Sequence, residues 1–209
     1  MSEIIVTGFE PYGGFDENPS MKVAMIMDGK IINGKRVKGI VLPVSFKRTF
    51  QVLMQHIDPE KPPQVICSMG LDPFIATLKL EKVALNIKDY QEIPDNDGDK
   101  PTGEPIISGA PLALQTDIPV EKIYNELISN DVPAIVSYYA GTHLCNYVFY
   151  NLLYTKQKYS WKTKICFTHL PFLVSQHIKI SYIKTFAPSL PLDTMVKGIS
   201  IIIKTLNML

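Results

Sequence analysis

Arginine is nearly absent from this chain. It occurs only at positions 36 and 48, and the formal net charge of +1 is the balance of 21 basic and 20 acidic residues mixed along 209 positions. No basic patch is present to grip a phosphate backbone, so nucleic acid is excluded as a partner. No run of about 18 apolar residues is present to cross a bilayer, and no membrane partner is expected. Met1 to Thr7 also lacks a basic segment followed by an apolar stretch and a small-residue cleavage site. The expectation is a soluble cytoplasmic protein. Cysteine is equally scarce: Cys67, Cys145 and Cys166 are too far apart for a metal-ligand pattern and form no evident disulfide framework. A reducing compartment fits, with Cys67 and Cys166 reading as buried core thiols inside apolar runs.

Two familiar ligand loops are missing as well. Strand-like Glu3 to Thr7 leads into Gly8 and Gly13-Gly14, but neither the Gly-x-Gly-x-x-Gly spacing nor a following Lys-Ser/Thr is there to cradle phosphate. Asp95-Asn96-Asp97-Gly98-Asp99 invites calcium, yet its glycine falls at the fourth loop position instead of the sixth. Ile106 also stands where a bidentate glutamate is needed. No metal and no cofactor are expected.

What is present alternates. Apolar, β-prone runs at 3–7, 38–42, 64–68, 77–87, 134–139 and 164–168 are separated by helical spacing at about 19–28, 45–57, 120–130, 143–157, 174–186 and 192–206. This order argues for α/β layers around a mostly parallel sheet, with the long 77–87 strand mixed in antiparallel. No repeat or linker divides the chain, so residues 1–209 read as a single domain. From about 91 to 119 the pattern breaks into a proline-rich arm, the kind of long aperiodic stretch that serves as a functional arm or lid.

The most telling segment is Ala140-Gly141-Thr142-His143-Leu144-Cys145-Asn146. Gly141 stops the strand run that begins at Pro133, and Leu144, Val148 and Leu152 start a helix, so Cys145 falls in a first helical turn. Unpaired N–H groups and the positive end of the dipole favour an anion there. Lowering a thiol from about 8.5 to roughly 6.5 takes about 2.7 kcal/mol, at about 1.4 kcal/mol per unit. A helix end supplies about 0.3–1 kcal/mol and at most roughly 2. A cationic partner is therefore required, and histidine is the obvious type. His56 and His177 fall at ordinary helix positions. His169 ends the run Ile165-Cys166-Phe167-Thr168, so it should emerge beside Cys145 if the two strands are neighbours. A third candidate is Glu81, a carboxylate on a face shared with Lys79, Val83 and Leu85. It either pairs with Lys79 or Lys82, or holds an imidazole in the right tautomer.

Gly8-Phe9-Glu10-Pro11-Tyr12-Gly13-Gly14 with Asn18-Pro19-Ser20, Leu80 to Asn86, Ile93-Pro94-Asp95-Asn96, Ala140-Gly141-Thr142 to Cys145-Asn146, and Thr168-His169-Leu170-Pro171-Phe172 together resemble the pyroglutamyl peptidase type I family. The resemblance implies a three-layer α/β/α sandwich of phosphorylase/hydrolase-like type with a mixed, mostly parallel sheet. It also implies a cysteine exopeptidase that removes N-terminal pyroglutamate from peptides through a thioester acyl-enzyme. In it Cys145 would be the nucleophile, His169 the general base and acid, and Glu81 the orienting carboxylate. Phe9 and Tyr12 would be aromatic walls, Asn18, Ile93, His143 and Leu144 would line the rest, and the molecule would be a homotetramer. Asn18 also suits a helix cap, with Pro19 at the first helical position.

Departures from the family pattern matter. An arginine commonly precedes the Ile-Pro-Asp-Asn block, helping to hold the developing oxyanion, where this chain has Tyr90-Gln91-Glu92 and is one residue longer. The usual Gly-Arg pair after Gly70 gives way to Leu71-Asp72-Pro73-Phe74-Ile75, and His143 replaces a residue usually aromatic. Losing one oxyanion donor costs roughly a hundredfold to a thousandfold in turnover. Gln91, Lys88 or His143 could substitute, the enzyme could be slow, or the acyl group could differ. The remaining alternatives are a catalytically impaired pyroglutamyl-binding homologue and a cysteine amidase of different acyl specificity.

Overall fold

A seven-stranded sheet runs through the computed structural model, which describes residues 4–180 and 187–208. In chain order the elements are β1 (Ile4–Phe9), α1 (Pro19–Met27), β2 (Ile31–Ile32), β3 (Lys35–Leu42), α2 (Thr49–Met54), β4 (Val65–Leu71) and β5 (Leu78–Glu81). An arm follows with β6 (Val83–Leu85), β7 (Lys88–Asp89), β8 (Thr102–Glu104) and β9 (Ala113–Gln115). The chain then continues through α3 (Val120–Ser129), β10 (Ala134–Ser137), α4 (Leu144–Lys158), β11 (Lys164–Leu170), β12 (Phe172–Leu173), α5 (Val174–Ile180), β13 (Ser189–Leu190) and α6 (Leu192–Asn207).

The sheet order is β10-β5-β11-β4-β1-β3-β2. Strands β11, β4, β1 and β3 are mutually parallel; β5 runs antiparallel to β11, and β10 parallel to β5. Both faces of the central strands are covered, which is why they read as nearly continuous apolar runs. Ile4 and Val6 of β1 join Val65 and Cys67 of β4 in a core with α1, α3 and α6, while Ile5 and Phe9 pack with Ile66, Phe167 and the α4 residues Val148, Phe149 and Leu152. The result is a three-layer α/β/α sandwich with a mixed, mostly parallel sheet.

Three expected elements differ. The 77–87 strand is two strands. At Lys82 its N–H donates to Ser137 O (2.8 Å), but its carbonyl accepts from Thr116 (3.0 Å), so the chain leaves the main sheet and pairs with β9 in the arm. Val83 and Leu85 therefore do not share a strand face with Glu81. The 45–57 helix contracts to α2, because Asp95 Oδ2 takes the Phe46 N–H (2.9 Å) and Asp97 Oδ2 the Ser45 hydroxyl (2.5 Å), holding 45–48 as a turn. The expected 134–139 strand ends at Ser137. Of the expected 174–186 helix, α5 covers Val174–Ile180, and 181–186 lies outside the described residues, as does residue 3 of the first strand.

The proline-rich arm is not aperiodic. β8 pairs with β7 and β9 with β6, both antiparallel, so the arm is a pair of short ribbons rooted at Val83. Asn86 staples its far end: Nδ2 donates to Ile107 O (2.8 Å) and Ala110 O (3.2 Å), and Oδ1 accepts from Ile107 N–H (2.8 Å).

Candidate active site

Strand alternation sorts the sheet's side chains. Leu78 and Leu80 of β5 point into the α1/α3/α6 core, so Lys79 and Glu81 face α4; on β11, Ile165 and Phe167 face α4 and His169 continues that row. Register then sets neighbours. His169 lies directly across from Gly70 on β4 and from Lys79 on β5.

Cys145 arrives from a different direction than the sequence suggested. β10, which leads to it, is not adjacent to β11, since β5 lies between them. The turn after β10, with Gly141 at φ 81°, instead starts α4 over the face of the sheet. Cys145 is the second residue of α4, half-buried, and a Cβ at Gly70 would overlap its sulfur. Only a glycine leaves that volume free.

His169 Nδ1 donates to Glu81 Oε1 at 2.8 Å, with both side chains buried. Burial alone would lower the His169 pKa, but the Cys145 sulfur and then the Glu81 carboxylate outweigh it and raise it to about 9. The geometry is that of a base held in one tautomer by a carboxylate, with a thiol on its other side. Glu81 also lies 3.4 Å from Lys79 Nζ, which in turn pairs with Asp72 Oδ2 at 2.7 Å. Of the three partners left open from sequence, imidazole and Lys79 are both present, while Lys82 goes to Glu121.

In front of Cys145 is a small cleft lined by Phe9, Tyr12, Asn18, Val44, Leu71, His143, Leu144 and Cys145. Asn18 caps α1 through Oδ1, which accepts from the Ser20 N–H (3.0 Å), while Nδ2 donates to Glu10 O (3.1 Å). The Ser20 Oγ in turn accepts from the Phe9 N–H (3.0 Å), so the cap also fixes the aromatic wall. Ile93 does not line this cleft; it lies beside Gly13.

His143 sits in an aromatic cage, with ring centroids 4.4 Å from Tyr90, 5.4 Å from Phe46 and 5.9 Å from Tyr12. Burial lowers its pKa to about 4, so the ring is neutral at physiological pH. Burial likewise raises the Tyr12 and Tyr90 hydroxyls, with Cys145 adding to both. Gln91 is exposed, and the Lys88 ammonium rests over the Phe46 ring at 6.0 Å; neither lines the cleft.

Val44, Leu71, Phe46 and Tyr90 escaped the sequence reading. Val44 could have been found through the Glu10 and Asn96 blocks: its N–H donates to Glu10 Oε1 (2.9 Å) and its carbonyl accepts from Asn96 N–H (2.8 Å). Asp95, Asp97 and Asp99, weighed above for calcium, hold Phe46, Arg48 and Lys47 respectively.

Comparison with known proteins bears on this geometry. The family model described as pyroglutamyl peptidase matches residues 2–208. Pyrrolidone-carboxylate peptidase of Thermococcus litoralis is 38% identical over 205 residues, 98% of this chain and 92% of that protein. The protein of that name from Pyrococcus furiosus is 38% identical over 84% of each chain. Among solved structures, pyrrolidone carboxyl peptidase from Thermococcus litoralis superposes with a TM-score of 0.93 at 36% identity, covering all of this chain and 94% of the other. A mutant of the Pyrococcus furiosus enzyme reaches 0.94 at 33% identity, covering 98% of each.

Proposed function

The chain belongs to the pyroglutamyl peptidase family of cysteine peptidases, and from that premise we propose that it removes pyroglutamate from peptide N-termini with Cys145, His169 and Glu81 as its catalytic residues. What carries the assignment is the meeting of Cys145, His169 and Glu81, with Cys145 on the wall of a small, mostly apolar cleft.

The chemistry is acyl transfer in two steps. The Cys145 thiolate attacks the pyroglutamyl carbonyl, and the Cys145 N–H in the first turn of α4 faces the oxyanion. The bond to the peptide nitrogen breaks as the His169 imidazolium protonates the departing amine. Water then attacks the thioester, giving its proton to neutral His169, and the thiolate leaves with free pyroglutamate. Glu81 keeps Nδ1 protonated and stabilises the imidazolium.

Selectivity follows from what the cleft refuses. A lactam ring is flat and neutral, and is served by Phe9, Tyr12, Val44, Leu71 and Leu144, with Asn18 at the wall. An ordinary amino terminus would bring an ammonium against a neutral His143 and apolar walls, at a cost of several kcal/mol. Assembly as a homotetramer is part of the same reading, supported by exposed Ile135, Tyr138 and Tyr139 on and just after the edge strand β10. A reducing cytoplasm is supported by the free thiols of Cys67 and Cys166. No helix among the described residues is long and apolar enough to cross a membrane.

A panel of fluorogenic amides tests the function. The pyroglutamyl amide should be cleaved and the free aminoacyl amides left intact, with Cys145→Ala and His169→Ala inactive. A fully active Cys145→Ala variant would sink the assignment, and cleavage of a different acyl amide would replace the substrate.

A further inference from the structure

A string of alternating charge runs from the edge of the cleft to the catalytic imidazole. Asp72 Oδ2 lies 2.7 Å from Lys79 Nζ, and Lys79 Nζ lies 3.4 Å from Glu81 Oε1. That same oxygen accepts from His169 Nδ1 at 2.8 Å, and Cys145 stands beyond the ring. Lys79 is also the residue directly across from His169 in the β5–β11 register. The Asp72 and Lys79 side chains are each 17% exposed and that of Glu81 is 0%. These are not solvated surface pairs, whose contribution is usually negligible.

The electrostatics of Glu81 need such a partner. Its Oε2 has no hydrogen-bond partner, so the buried carboxylate is balanced entirely through Oε1. While His169 is neutral, Lys79 is the only cation touching it among the described residues. A lone buried carboxylate would instead take up a proton. Asp72 fixes the ammonium from the other side and is itself held by the Phe74 N–H (3.0 Å). Asp72 follows directly on β4, and Lys79 lies on β5.

We infer that Lys79, anchored by Asp72, is a positioning residue that fixes the Glu81 carboxylate and sets how tightly His169 holds its proton; this rests on the catalytic roles assigned above. The charged and titratable groups facing His169 are Glu81 and Lys79 from β5, Asp72 from the segment after β4, and Cys145 from α4, while Phe167 on its own strand is neutral. Their signs give opposite consequences. Removing the Lys79 charge leaves Glu81 unopposed, so the imidazolium persists to higher pH. Removing the Asp72 charge leaves Lys79 unopposed, so the imidazolium is lost at lower pH.

The test is the pH dependence of kcat/KM on a pyroglutamyl amide, paired with the rate of Cys145 alkylation by iodoacetamide, which needs no substrate. Lys79→Met should move the alkaline transition up, and Asp72→Asn down, each by about half a pH unit or more. Lys79→Arg should stay near the parent. Purely structural roles would lower amplitudes without opposite shifts, so unmoved or same-direction transitions overturn the inference. If Lys79→Met does not fold, Asp72→Asn and Lys79→Arg decide. A Cys145→Ala variant that kept activity would instead remove the active-site assignment and this inference with it; Cys145-dependent activity with unmoved transitions removes the inference alone.

Discussion

Gly70 sits directly beside His169 across the β4–β11 pair, and the volume its side chain would fill holds the Cys145 sulfur. One missing methyl group lets a helix-borne thiol sit against a strand-borne imidazole. The phenyl ring of Phe167 closes the same space from the side, 3.3 Å from where the Cβ would be, so the sulfur has little room to retreat.

Gly70→Ala should therefore damage chemistry more than folding. Displacing the nucleophile by about an ångström costs on the order of a hundredfold in kcat/KM, whereas overpacking costs about 1–3 kcal/mol of stability. Steady-state kinetics and urea unfolding of the same variant check both. Wild-type kinetics in a folded Gly70→Ala protein would place Cys145 elsewhere during turnover.

The His169 imidazolium, with a pKa raised to about 9, predicts that kcat/KM stays high through neutral pH and falls as pH rises through about 9. Glu81 contributes to that rise, so Glu81→Gln should bring the alkaline fall to lower pH and reduce kcat by about 10²–10⁴-fold, leaving measurable activity. A pH–rate profile of the two proteins decides; an alkaline fall that does not move would deny Glu81 its role.

The three catalytic candidates were legible because each occupies a locally marked place: a helix start after glycine, a strand end, a carboxylate among apolar residues. What joins them was not local. β5 inserts between β10 and β11, so the expected strand neighbours are apart, and Cys145 reaches His169 over the sheet instead. The break at Lys82 was hidden because apolar residues resume at once with Val83, Ala84 and Leu85, while the pairing partner changes from β11 to β9. Likewise Phe46, Phe50, Leu53 and Ile57 keep helical spacing, yet Asp95 and Asp97, about fifty residues later, hold 45–48 out of the helix. Asp72 and Lys79 are invisible as a pair until β5 is known to turn back along β11.

His143 predicts an acid-side loss of stability. Its folded pKa is about 4 against an ordinary 6.5, so between these values the unfolded chain binds a proton that the folded chain does not. Its stabilising effect is full above about 6.5 and is lost as pH falls toward 4, by about 2–4 kcal/mol if the buried ring stays neutral. In urea titrations at pH 7 and 4.5, His143→Phe should lose less than the parent. It should match or exceed the parent at pH 7, because Nε2 is buried without a partner. If the variant is as active as the parent, His143 packs the cleft and does not serve the oxyanion.

Asn146, one residue after the nucleophile, joins helix and arm. Its Oδ1 accepts from the Leu85 N–H (2.8 Å), and its Nδ2 donates to Leu85 O (2.9 Å) and Ile87 O (3.1 Å). The side chain completes the exposed edge of β6 as another strand would, and is itself fully buried. Asn146→Ala leaves three backbone groups unpaired, at about 1–3 kcal/mol for each that water cannot reach. The arm should loosen first, so limited proteolysis should cut within 91–119 before the rest of the chain, and KM should rise. Asn146→Asp should not rescue: it keeps the acceptor for Leu85 N–H but turns a negative oxygen toward two carbonyls. An aspartate variant as stable and protease-resistant as the parent would mean that the β6 edge is held by other contacts.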